Sequence, residues 1–136
     1  WNNLGLNSYS FSSLPGQYYT SDGTLYLTEK RVRYWSSFTD SIQQFALRLD
    51  ISSNNIVSDF YSRNRGYNIR LCSNSNQDCI DYDGNNYHYI KIGNLYWMIE
   101  DLKTTHYVNG NLIPLLNSDI DWSSTINGAY RTSPNS

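Results

Sequence analysis

Apolar and polar positions alternate most cleanly between Ile42 and Ile51. Phe45, Leu47, Leu49 and Ile51 are separated by Ala46, Arg48 and Asp50. A period of two predicts a half-buried strand, one row of side chains inward and the other in water. Ser52 to Asn55 is a polar, turn-forming run, and Ile56 to Tyr61 resumes apolar character, so a hairpin is predicted. Tyr67, Ile69 and Leu71 alternate with Asn68 and Arg70, which predicts a strand ending at Cys72. Tyr87 to Ile92 and Leu95 to Glu100 flank Gly93-Asn94 and predict a second hairpin with a two-residue turn.

The remaining segments are shorter. Trp1 to Gly16 is irregular, with Leu4, Leu6, Phe11 and Leu14 as apolar anchors and a turn at Leu14-Pro15-Gly16. Gln17 to Thr20, Thr24 to Thr28 and Val32 to Ser36 have extended character, with a turn at Ser21-Asp22-Gly23. Asn109-Gly110 is another turn. Ser118 and Asp121 have the spacing of a helix N-cap just before Trp122, which predicts one helix of about two turns. The tail from Arg131 to Ser136 is polar.

Composition narrows the class. A chain of 136 residues suits one domain. Charged residues make up 16%, below the usual ~25%, and Ser, Asn and Tyr take their place. Asn and Ser favour turns and caps, while Tyr suits half-buried strands and contact surfaces. The same palette serves recognition loops, where Tyr supplies area and Ser, Gly and Asn supply adaptable hydrogen bonds. A strand-rich surface protein without a special ligand has this composition too.

The net charge of -2 excludes a nucleic-acid binder with a broad basic face. The small basic clusters Lys30, Arg31, Arg33 and Arg63, Arg65 read as solvated turn edges. No apolar run approaches the ~20 residues that cross a bilayer. The chain begins at Trp1 rather than Met, so it is expected to be a processed or partial chain, and a missing targeting segment carries no weight. Cys72 and Cys79 flank a short polar run, SNSNQD. They could close a hairpin as a disulfide, which suits an extracellular setting, or remain two thiols.

Candidate chemistry is sparse. Asp81, Asp83 and Asn85 match the first ligand positions of a calcium loop, but the later bidentate Glu is replaced by Ile92, so no metal is expected. His88 and His106 lack metal-site spacing. The carboxylate pairs Asp81/Asp83, Glu100/Asp101 and Asp119/Asp121 are sequence neighbours and do not define a cleft of two opposed carboxyls. No nucleophile elbow, phosphate loop or dinucleotide fingerprint is present, so neither catalytic residue nor cofactor is predicted. Trp35, Trp97 and Trp122 read as packing residues.

One longer pattern remains. Asp81-Tyr82-Asp83-Gly84-Asn85-Asn86-Tyr87, Lys91-Ile92-Gly93-Asn94, Tyr96-Trp97-Met98 and Glu100-Asp101-Leu102-Lys103-Thr104-Thr105 follow in that order. They resemble the opening of a Fibrobacter succinogenes major paralogous domain, with Asp101 in place of the usual Asn. Asn109-Gly110, Ile113-Pro114, Trp122 and Ala129-Tyr130 continue the likeness. Ser10 to Tyr18, Trp35-Ser36-Ser37 and Gly66 to Cys72 resemble the end of the same module. Residues 1–72 therefore resemble a module's end, 73–79 a junction and 80–130 a module's start, with the family's middle helix and its surroundings absent. The chain is expected to be one domain, either cut across a module boundary or permuted.

The resemblance implies an α+β, mostly β fold of C-type-lectin-like architecture, with short antiparallel strands and one or two short helices. It also implies that the runs ending at Cys72 and beginning at Tyr87 lie side by side, clamped by Cys72 and Cys79. The calcium-dependent sugar motifs of C-type lectins and the catalytic cysteine pair of formylglycine-generating enzymes have no counterpart. The expected function is a non-catalytic extracellular binding or adhesion module of a bacterial surface protein. Its expected partner is a protein or glycan on a surface. A filament or array subunit completed by a second copy is the alternative, and a carbohydrate-active enzyme the weakest. The ligand face of such a fold falls on Tyr34, Trp35, Phe38, Asp40, Asn54, Asn55, Tyr61, Arg63 and Arg65.

Overall fold

A computed structural model describes residues 11, 13, 16–50, 52–53 and 55–132. In chain order the strands are β1 (Gln17–Tyr19), β2 (Leu25–Leu27), β3 (Arg31–Thr39), β4 (Gln43–Asp50) and β5 (Val57–Ser62). They continue as β6 (Cys72–Ser73), β7 (Cys79–Ile80), β8 (Asn86–Tyr87), β9 (Tyr89–Ile92) and β10 (Leu95–Met98), followed by the helix α1 (Asp119–Ser124). The fold is β-rich α+β, made of small antiparallel sheets and one short helix. Leu4, Leu6, Leu14 and Asn54 lie outside the described residues.

The sheet β3-β4-β5 is the largest. Its strands pair in continuous register from Arg31↔Asp50 to Trp35↔Ala46, and from Gln43↔Ser62 to Arg48↔Val57. The predicted hairpin is therefore present, but its burial is not the expected one. Ala46 and Asp50, on the row expected to face water, are more deeply buried than Phe45, Leu47 and Leu49. Trp35, the partner of Ala46, is packed by Tyr67 at 4.4 Å with tilted rings, and Asp50 is enclosed by its bonds to Arg31 and Ser52, so this side of the sheet is covered as well. On the other side Val32 and Tyr34 are buried. Tyr34 packs on Phe11 at 6.2 Å, and Phe11 on Trp97 at 6.2 Å, which joins β3 to β10. Arg70 lies over the Phe11 ring and donates from Nε to Asp101 at 2.5 Å, closing the same layer.

The Gly93-Asn94 hairpin is also as predicted: Leu95 pairs with Ile92 and Met98 with Tyr89. Gly93 has φ +63°, the left-handed conformation that a two-residue primed turn needs at its first position. Ser118 caps α1, its Oγ accepting from the Asp121 amide at 3.2 Å. Trp122 on that helix donates from Nε1 to the Asn64 carbonyl at 2.7 Å and fixes α1 against the 63–66 turn.

Two expectations fail around the cysteines. The run from Tyr67 to Leu71 forms isolated bridges and single hydrogen bonds, such as Leu102 N to Ile69 O, instead of a regular strand. It also does not lie beside the strand that begins near Tyr87. β10 stands between β6 and β9. Cys72 pairs with Trp97 of β10, whereas Cys79 pairs with Tyr87 of β8. Each cysteine's backbone is held by a different partner strand, so the pair does not close one hairpin, and both thiols are free. Among the described residues no helix is long and apolar enough to cross a membrane.

Candidate functional site

Strand alternation puts Arg33 and Trp35 of β3 on one face with Arg48 and Ala46 of β4 and Asp59 and Tyr61 of β5. Arg33 and Arg48 are direct cross-strand partners, which sets their Cβ atoms about 5 Å apart. The segment Arg65–Asn68 runs along the edge of β3 away from β4 and turns the Tyr67 ring onto this face. Gly66 bridges to Tyr19, and Asn68 is bound to β3 through Asn68 N to Arg33 O and Trp35 N to Asn68 O. That segment and β1, bridged at Gly66 and Tyr19, deliver Tyr67, Arg65 and Tyr18 from this edge of β3.

Arginine and aromatic rings then interleave. The Arg33 guanidinium lies 4.1 Å from the Tyr18 ring centre and 5.8 Å from that of Tyr67. Arg65 lies 5.4 Å from Tyr61, which meets Tyr67 edge-on at 5.5 Å. Stacking over a ring face stabilises a guanidinium without giving its N–H groups acceptors. Nε of Arg33, Arg48 and Arg65 and Nη1 of Arg33 are shut off from solvent and have no hydrogen-bond partner among the described residues. Among the described residues Arg65 reaches only the Tyr67 hydroxyl, at 3.4 Å. Asp50 is engaged elsewhere, held by Ser52 and by Arg31 Nε at 2.6 Å. Asp59 accepts from its neighbour's amide, Phe60 N.

Of the predicted face, Trp35, Tyr61 and Arg65 come together here. Tyr34 points the other way into the core. Its hydroxyl meets Ser13 Oγ at 2.9 Å, and burial first, with the Asp101 charge adding, pushes its pKa up to about 12. Phe38 packs on Phe45 and Phe60 on that same opposite side. Asp40 is a turn anchor whose Oδ1 accepts from the Ile42 and Gln43 amides. Arg63 braces the turn by donating to Thr39 Oγ1 and the Asp40 carbonyl. Asn55 is an exposed loop residue. Sequence reasoning did not single out Arg48 or Tyr67 for this face, and it read Arg33 as a solvated turn edge. A signal existed, because both arginines occupy the polar phase of their strands' alternation. Which residue opposes which is a property of register, set by long-range pairing.

The second polar cluster is structural. Asp81 accepts from the amides of Asp83 and Asn85, from the Asn85 side chain and from the Tyr87 hydroxyl at 2.7 Å. Tyr87 in turn accepts from the Lys103 amide at 2.9 Å. Asp83 accepts from Thr104 and Thr105, and pairs with His106 Nδ1. The amide of Thr105 and these side chains hold its carboxyl well below the usual range. The turn that resembled a calcium loop thus spends its carboxylates on clasping the Lys103–His106 run. His88, facing Glu100 at 2.8 Å, has a raised pKa because its hydrogen bond and the Glu100 charge favour the imidazolium. No group of three or more His, Cys, Asp or Glu is placed to hold a metal ion among the described residues.

No family model, curated protein or solved structure matches this chain.

Proposed function

We propose that this chain is a non-catalytic, extracellular binding or adhesion module of a bacterial surface protein, with a C-type-lectin-like arrangement of its β-rich fold. The arginine–aromatic face of β3, β4 and β5 is its contact surface. The observation that carries this reading is the opposition of Arg33 and Arg48. Like charges directly across an antiparallel pair oppose folding, and partnerless buried donors add to the cost. The tyrosine rings offset part of this but supply no acceptor, and a site that keeps charged donors without acceptors is explained by a role in binding. The Tyr-, Ser- and Asn-rich composition supports the same reading, as does the resemblance of residues 81–105 to a surface-module family. The free thiols remove the argument from a disulfide, so localisation rests on those two grounds.

The test is retention of the labelled chain on intact cells and on arrayed glycans and proteins. Tyr61→Ala and Arg65→Ala are expected to lose most of the retained signal, while Lys91→Ala keeps it. Equal retention by all of them would remove the face from consideration.

A filament or array subunit is the second reading, and one observation favours it. Among the described residues β5 is an edge of its sheet, and Phe38 and Ile42 beside it are exposed, Phe38 by 61%. An unpaired edge of this kind invites another strand. Light scattering that finds a monomer at high concentration would count against this reading.

A further inference from the structure

We infer that the arginine–aromatic face binds an acidic oligosaccharide, taking a sugar carboxylate among Arg33, Arg48 and Arg65 and a sugar ring on Tyr26. This rests on the reading of that face as the contact surface and adds the chemical class of what it contacts.

The charge balance points to an anion. Arg31, Arg70 and Arg131 each have a carboxylate partner, in Asp50, Asp101 and Asp119. Arg33, Arg48 and Arg65 have none among the described residues, although they share one face. The Arg33 and Arg65 guanidinium groups lie against Tyr18, Tyr61 and Tyr67, and Arg48 Nε is shut off from solvent, so water screens these charges less than it screens surface ones. What such a cluster lacks is a pair of acceptor oxygens in one plane, which a carboxylate supplies. An anion at the solvent end turns the guanidinium forks towards itself and separates the Arg33 and Arg48 charges with a negative one.

The rim argues for a sugar. Tyr26 stacks on Tyr18 with centres 5.4 Å apart and planes 13° from parallel, and half of its surface is exposed. One side of this ring is covered by Tyr18, which also carries Arg33, so Tyr26 lies one ring away from the arginine and an oligosaccharide would have to pass over Tyr18 to reach both. A flat, open ring with a negative face accepts the C–H face of a pyranose. An extended acidic peptide would need a free strand edge beside the arginines, and the β3 edge there is taken by Asn68.

The test is a titration followed by Trp35 fluorescence or by heat, with an oligogalacturonate, its methyl ester and poly-glutamate as probes. The acid form is expected to bind, more weakly as salt rises. The methyl ester, which keeps the sugar and removes the charge, is expected to bind weaker by on the order of thirtyfold or more. Arg48→Gln and Arg33→Lys are expected to lose binding of the acid form similarly, because lysine keeps the charge but not the fork. Lys30→Ala is the control and keeps it. The ester comparison uses the unaltered chain, so a variant that folds poorly does not spoil it. Equal binding of acid and ester overturns the carboxylate. Poly-glutamate binding as tightly through the same arginines overturns the sugar. If the acid form does not bind while Arg65→Ala still abolishes cell retention, this inference fails and the contact face stands.

Discussion

Gly66 lies against the ring of Trp122: a Cβ added at Gly66 would stand 3.0 Å from Trp122 Cζ2 and 3.2 Å from Tyr19 Cβ. Neither neighbour can yield easily. The indole is held by its bond to the Asn64 carbonyl, and Tyr19 is fixed by its bridge to Gly66. Gly66→Ala is therefore expected to destabilise the chain by about 1–3 kcal/mol through overpacking, read as a lower thermal midpoint. A midpoint unchanged from that of the parent would show that α1 is not seated there.

Tyr87 is 1% exposed, and its hydroxyl joins Asp81 to the Lys103 amide. Tyr87→Phe keeps the ring, leaves the Lys103 N–H without its acceptor and leaves Asp81 Oδ2 with Asn85 alone. The expected cost is about 1–3 kcal/mol, measured by denaturant titration. Burial, then the bond to Asp81, pushes the Tyr87 pKa up to about 12, so its absorbance change on raising pH should come late.

Acid should unfold the chain through its clasped carboxylates. Thr105 and its neighbours lower the Asp83 pKa, and Ser52, with Arg31, lowers that of Asp50. Depressed folded values mean stability that is complete above the unfolded pKa of ~4 and is lost as pH falls through the folded one. His88 has the opposite sign. Its raised pKa adds stability below the unfolded value of ~6.5, lost as pH rises through the folded value. Thermal midpoints across pH should decline on the acid side, less so in Asp83→Asn. His88→Gln should remove a small decline on the neutral side.

Cys72 is exposed and Cys79 half-buried, and neither is bonded. Two thiols should react in the native, unreduced chain, Cys72 before Cys79. Replacing both by Ser should change stability far less than the ~2–5 kcal/mol lost with a native disulfide. A native mass two hydrogens lighter than the reduced chain would overturn the two free thiols.

Arg48→Glu places opposite charges where Arg33 and Arg48 now repel. A stabilisation of up to about 1 kcal/mol is expected from the new cross-strand pair, together with loss of anion binding. A lower midpoint for this variant would mean that the arginine pair already has a compensating partner.

Much of the local structure was legible because it depends on near neighbours. The Gly93-Asn94 turn, the Ser118 cap and the hairpin of β4 and β5 each follow from a few adjacent residues, and each is present. The strand expected at Tyr67–Leu71 failed because its partners are scattered. Gly66 is bound by β1, Asn68 by β3, and Ile69 by Leu102. Alternation in sequence records a capacity for extension and does not record who pairs with it.

The candidate face shows the same division. Tyr61, Trp35 and Arg65 could be chosen from sequence as polar aromatic or charged residues near turns. Tyr34 met the same description and went into the core, since alternate residues of β3 face opposite sides and only the covering layers decide which side is wet. Sequence by itself determined that this chain makes short strands, polar turns and one capped helix, because backbone preference and turn chemistry act over a few residues. Tertiary structure alone decided that Arg33 opposes Arg48, that Tyr18 and Tyr67 join them, and that Cys72 and Cys79 pair with different strands. Those relationships are set by strand register and layer packing, which depend on contacts between residues far apart in the chain.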